Sequence, residues 1–305
     1  MEQVVEFVKT AIEHGKELTA ISFHGGEPLL YVKRIDEYME QLKPILGNVE
    51  IYITTNGSLI AENEWFFQKW NNIHITLSYD FNYQEINRAP IDLKTLSEVL
   101  YRNNCYLMFQ FVIPPNGFNE DTIASVIKSC KQARCDTVNL IPLRHHRGRQ
   151  KFKVLIDDVD LKWYAINFMR FIHTLYVQGI NLNIDGNYDK IDKQYLNNHG
   201  KLIVSPDGYL YPEFDYLEYK RKEFRVGKWR NGIVLDRVKS EDEYLRETCI
   251  SCPLRDVCGL KYLYRMFGEE PKGNCVEFYK IISLMVRHLH TLKQKPTLMH
   301  WIGYE

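Results

Sequence analysis

Cysteine is missing from the first 104 residues and again from residues 136 to 248, so the seven thiols of the chain are confined to two stretches. An odd number of clustered thiols, in a chain without a visible export signal, argues for a reducing compartment and for metal binding over disulfides. Long apolar runs are also missing; the hydrophobic segments are short and interrupted, which excludes a helical membrane span. No basic-then-apolar leader follows Met1, so no secretory signal is read and a cytoplasmic location is expected. Net charge is absent: 39 basic residues balance 39 acidic ones. A neutral chain has no general pull towards nucleic acid. Low-complexity segments and internal repeats are not found. What remains is the composition of a globular protein, 45% apolar and 26% charged, with length enough for one large or two modest domains.

The most informative stretch is Ile21-Ser22-Phe23-His24-Gly25-Gly26-Glu27-Pro28-Leu29-Leu30. It reads as a short apolar strand running into a glycine pair, an acid and a proline. Two adjacent glycines let a backbone turn sharply and approach a ligand closely. Pro28 stops the strand and suits the start of a helix. Glu27 places a carboxylate at that turn, suited to an amino group rather than to a phosphate.

Around this stretch the pattern alternates. A helix is predicted over 2–14, with Val4, Val5, Val8, Ala11 and Ile12 at helical spacing and Gly15 as its cap. Strands are predicted at 18–23, 49–54, 73–78, 106–113 and 137–142, with helices near 33–45, 62–71, 92–103, 119–134 and 158–178. Five strands alternating with helices imply parallel pairing, in an open sheet or partial barrel. Ligands then sit beyond the C-terminal strand ends, where the turns Gly25-Gly26-Glu27-Pro28, Thr54-Thr55-Asn56-Gly57, Ser78-Tyr79-Asp80, Pro114-Pro115-Asn116-Gly117 and Arg144–Arg149 gather. After residue 180 the alternation stops. Residues 201–204 and 209–211 read as a hairpin closed by Ser205-Pro206-Asp207-Gly208, followed by a looser charged stretch to about residue 247. Further helices are predicted near 259–267 and 276–293. A boundary near 180–196 divides the chain into domains 1–185 and 186–305.

Four of the seven cysteines, Cys249, Cys252, Cys258 and Cys275, fall within 27 residues. The C-x2-C pair suits two thiolates gripping one metal from a tight turn. By ligand type the set suits zinc or an iron–sulfur cluster.

The Gly-Gly-Glu-Pro turn, the strand–helix alternation, the hairpin and the C-x2-C-x5-C run together resemble the radical S-adenosylmethionine (SAM) proteins with a SPASM domain, the group of sulfatase-maturating and peptide-modifying enzymes. The resemblance covers most of the chain. It implies an α/β fold: a partial (β/α) barrel whose first strand is missing here, followed by a small cysteine-rich domain. By the same resemblance Gly25, Gly26 and Glu27 would meet the SAM amino group. Ser78 and Asp80 would face its ribose or carboxylate, and Thr55, Asn56 and Asn116 would line the same mouth. Cys249, Cys252, Cys258 and Cys275 would hold one auxiliary [4Fe-4S] cluster, with zinc as the other reading. Asp215 lies where sulfatase-maturating relatives carry a catalytic acid. A peptide or protein substrate is implied.

Two departures stand out. Glu213 and Tyr262 occupy positions where that group carries cysteines for a further auxiliary cluster, so only one metal site is expected. The C-x3-C-x2-C loop that binds the catalytic cluster does not occur. Cys105 precedes a strand, and Cys130 and Cys135 lie at a helix-to-strand turn; these positions face the wrong end of the barrel and are expected to be buried or incidental thiols. The deficit reads as one coherent piece, strand plus loop, which favours a misassigned start. Three functions follow: a hydrogen-abstracting radical SAM enzyme when a cluster-binding segment is supplied, a degenerate peptide- or partner-binding module, or a zinc-stabilised α/β protein.

Overall fold

The computed structural model describes residues 2–13, 15, 17–45, 47–114, 117–142, 160–184, 202–212, 222–234, 280, 281, 283, 284 and 287. The chain forms two compact units, one built on Met1–Arg144 with Ile166–Asp185, the other on His145–Ala165 with Gly186–Glu305.

The first unit opens with α1 (Glu2–Glu13), closed by Gly15, whose N–H donates to Ile12 O at 2.9 Å. Then follow β1 (Ala20–Phe23), α2 (Val32–Leu42), β2 (Glu50–Thr55), α3 (Glu64–Lys69), β3 (Ile73–Ser78), α4 (Gln84–Asn87) and α5 (Leu93–Arg102). The series continues with β4 (Tyr106–Ile113), α6 (Glu120–Ala133), β5 (Thr137–Pro142), α7 (Leu161–Val177) and β6 (Asn181–Ile184). The helices form where apolar residues recur at three and four positions. In α2 these are Val32, Ile35, Met39 and Leu42, all buried. Side chains set the starts: Asp92 accepts from the Lys94 and Thr95 amides at the head of α5, and Asn119 from the Thr122 amide at the head of α6.

All six strands are parallel and lie in the order β1-β2-β3-β4-β5-β6. The series therefore runs one strand further than the five expected. β6 pairs Thr137 with Asn181 through Leu140 with Ile184. Strand order without reversal carries every right-handed crossover the same way, so the helices gather on one face, as in a barrel. The strands record this in their alternation. One row is buried throughout: Ile51, Ile53 and Thr55, then Ile73, Ile75 and Leu77, then Phe109, Phe111 and Ile113, then Val138 and Leu140, then Leu182 and Ile184. The other face is mixed, with Met108, Val112 and Ile141 among polar side chains. Its register aligns Thr54 with Thr76, and Ser78 with Gln110, Asn139 and Asn183. A parallel sheet covered on both faces reads apolar throughout; here only the helix-bearing face does. The fold class is α/β with a partial-barrel order of strands.

In the second unit, β7 (Ile203–Val204), β8 (Tyr209–Tyr211), β9 (Gly227–Lys228) and β10 (Gly232–Ile233) form an antiparallel sheet in the order β10-β9-β8-β7. The expected hairpin is its β7–β8 half. The stretch read as loose and charged supplies the other two strands, which contribute two residues each. Gly208 (φ 79°) closes the hairpin turn, its N–H donating to Ser205 O at 2.9 Å. Arg225 lies 3.6 Å over the Tyr209 ring and donates from Nε to the Tyr211 hydroxyl at 2.8 Å. No helix among the described residues is long and apolar enough to cross a membrane.

Candidate functional site

The turn after β1 takes the shape its sequence demands. Gly25 (φ 102°) and Gly26 (φ 53°) both lie in the left-handed region, are exposed, and have nothing within 4 Å of where a Cβ would stand. Backbone conformation, not crowding, requires glycine at both positions.

Glu27 follows, half-buried, and its carboxylate reaches the end of the neighbouring strand. Oε1 accepts from the Leu29 amide at 3.1 Å and from the Thr55 hydroxyl at 2.7 Å. Oε2 accepts from the Asn56 amide at 2.8 Å. The carboxylate is thus fixed over the C-terminal ends of β1 and β2. Asn56 spends its side chain on its own turn: Oδ1 accepts from the Ser58 amide at 2.9 Å and from the Ser58 hydroxyl at 2.7 Å. It contributes to Glu27 through its backbone.

Ser78 ends β3 on the mixed face and is half-buried, directly after Leu77, the register partner of Thr55. Asp80, two residues on, is 5% exposed. Its Oδ2 accepts from Arg88 Nε at 2.9 Å and its amide donates to Gln84 Oε1 at 2.9 Å. Its other oxygen, Oδ1, is the one buried side-chain polar atom without a hydrogen-bond partner among the described residues. A buried acceptor left unpaired is costly and calls for a donor. Strand register and turn contacts therefore bring Gly25, Gly26, Glu27, Thr55, Asn56, Ser78 and Asp80 to one end of the sheet.

Asn116, Asp215, Cys249, Cys252, Cys258 and Cys275 lie outside the described residues, as do Arg144–Arg149, Glu213 and Tyr262. No group of metal-binding side chains occurs among the described residues. The described thiols stand at the other end of the strands. Cys105 is half-buried just before β4; Cys130 is buried in the last turns of α6 and Cys135 just before β5. Burial pushes the Cys105 and Cys130 thiols up to about 12 and Cys135 up to about 11. Cys135 donates to Leu107 O at 3.1 Å. These are inert thiols, not ligands at the mouth.

No protein-family model and no curated protein matches the sequence. Solved structures do match in fold. Native anSMEcpe with bound AdoMet and the Cp18Cys peptide superposes with a TM-score of 0.68 at 17% identity, over 97% of this chain and 91% of that one. Streptococcus suis SuiB bound to the precursor peptide SuiA gives a TM-score of 0.62 at 17% identity, over 90% of this chain and 68% of that one. SuiB bound to S-adenosylmethionine gives 0.59 at 16% identity, over 90% and 69%. At these identities the likeness shows the fold, which is the one that the sequence resemblance implies.

Proposed function

We propose that the chain binds SAM at the C-terminal ends of β1–β3 and serves the modification of a peptide or protein, as a radical SAM/SPASM-type protein. The supporting neighbours are structures bound to AdoMet and to peptides. The observation that carries the reading is the Glu27 carboxylate, anchored by Thr55 and Asn56 beside an exposed left-handed glycine pair.

The residues present fit SAM. An ammonium group needs an acceptor, and Glu27 Oε2 holds one donor only. Asp80 stands at the same strand ends, 5% exposed and paired with Arg88, and its Oδ1 is buried, so a ribose would reach it only once this turn opens. Ser78 offers a hydroxyl for a carboxylate, and Asn116, which follows β4 in the sequence, is the further candidate. When bound and reduced at an iron–sulfur centre, SAM supplies a hydrogen-abstracting species. The catalytic cluster does not fit the residues present: C-x3-C-x2-C does not occur, and the described thiols stand at the opposite strand ends with raised pKa values. Hydrogen abstraction therefore depends on three thiolates supplied from outside these residues. Cys249, Cys252, Cys258 and Cys275 are assigned to one [4Fe-4S] cluster or zinc ion, in a domain over 186–305 following the barrel domain over 1–185. Asp215 is the candidate acid.

Anaerobic calorimetric titration tests the reading. The wild-type chain is expected to bind SAM, and Glu27→Gln to weaken it by about tenfold or more, the loss of one charged hydrogen bond. A metal-loaded wild-type chain that takes up no SAM would reject it. The same absence of C-x3-C-x2-C favours a second reading, a peptide-binding module without radical chemistry. Deoxyadenosine released by this chain alone counts against that one.

A further inference from the structure

The buried row of β2 reads Ile51, Ile53, Thr55. A hydroxyl at the end of an apolar row must find its partners inside the protein. Thr55, 2% exposed, finds two: Oγ1 accepts from the Gly57 amide at 3.0 Å and donates to Glu27 Oε1 at 2.7 Å. A hydroxyl carries one proton. With the Gly57 N–H occupying a lone pair, that proton is aimed at Glu27. Gly57 is favoured there by its φ of 84°, and a Cβ would also push on the tips of Leu77 and Leu96, 2.6 and 2.9 Å away. A carboxylate offers about four acceptor directions. Leu29 and Thr55 fill those of Oε1, and Asn56 takes one on Oε2. One direction is left.

We infer that Thr55 is a positioning residue: it turns the Glu27 carboxylate so that one acceptor direction on Oε2 remains to receive one N–H of a cationic group, the α-ammonium of an amino acid. The inference rests on the SAM reading and deepens it, because it assigns discrimination to the amino-acid half of SAM rather than to its nucleoside.

Calorimetry on the full chain tests it, with SAM and with 5′-methylthioadenosine, which lacks the amino-acid half. Thr55→Val is expected to weaken SAM by about tenfold or more and to leave methylthioadenosine within about twofold of wild type; Thr55→Ser, which keeps the hydroxyl, restores SAM to within about threefold. Thr55→Val binding SAM like wild type overturns the inference, and so does a loss of both ligands that Thr55→Ser does not restore. A wild-type chain that binds neither ligand rejects the SAM reading instead. The positioning role is then judged without ligand, by hydrogen exchange at the Leu29 amide. That exchange is expected to quicken in Thr55→Val, and an unchanged rate overturns the role.

Discussion

Cys105, Cys130 and Cys135 carry thiols whose ionisation the folded chain resists. Burial raises all three from the ordinary value of 9.0, to about 12, 12 and 11, and backbone hydrogen bonds moderate the rise at Cys135. An unfolded chain gives up these protons from about pH 9, while the folded chain keeps them to about pH 11–12. The stability involved is therefore fully present below pH 9 and is lost as pH rises towards 12. Replacing all three by alanine is expected to flatten the fall of the urea midpoint between pH 8 and pH 10.5, compared with wild type. An equal slope in both proteins would show that burial does not govern these thiols. Their placement could be read from sequence, because Cys105 precedes a strand and Cys130 and Cys135 fall where a helix gives way to the next strand. The role of Thr55 could not be read so directly. The available signal was a hydroxyl falling in the apolar half of an alternating strand, but its partner is 28 residues away, and no local pattern names Glu27. Asn56, by contrast, behaves as its type and neighbours dictate, bonding its own turn.

Among the elements, the long helices and the strands β2–β5 were legible because their apolar periods are strong and uninterrupted. β6 was not. Asn181-Leu182-Asn183-Ile184 alternates over only four residues, half of them asparagine, a poor strand former. Gly179 just before it reads as an end. Pairing with β5 makes it a strand. β9 and β10 are two residues each, and glycine in both conceals them further. Yet glycine is what allows β9 to form: a Cβ on Gly227 would stand 2.1 Å from Gly232 O on β10. Gly227→Ala is expected to force these strands apart and destabilise the second unit by about 1–3 kcal/mol. Hydrogen exchange should then quicken in β8 and β9 while β2–β4 stay protected. Unaltered exchange in β8 and β9 would mean that the close approach of Gly227 and Gly232 is not what holds this sheet together.

For the whole molecule, the sequence told most where chemistry and fold coincide, at the Gly-Gly-Glu-Pro turn, and least where the mixed side of the sheet is concerned. The rows Thr54–Thr76 and Ser78–Gln110–Asn139–Asn183 appear only once register is known. The four-cysteine site remains a proposal on spacing, and it can be weighed directly. An anaerobically prepared chain is expected to contain metal that Cys252→Ser loses by one site, whether iron with acid-labile sulfide or zinc. Metal content that is the same in both would remove the four-thiolate assignment.

The strand order has a consequence for how the chain is made. Each of β2–β5 pairs only with the strand before it and the strand after it, so no strand waits for a partner from a distant part of the sequence. Each pairing closes a crossover that contains at least one helix, and the entropy of closure grows only slowly with such lengths. As the polypeptide leaves the ribosome, every new strand meets an edge already laid down by its predecessor, and the sheet grows in the order of synthesis.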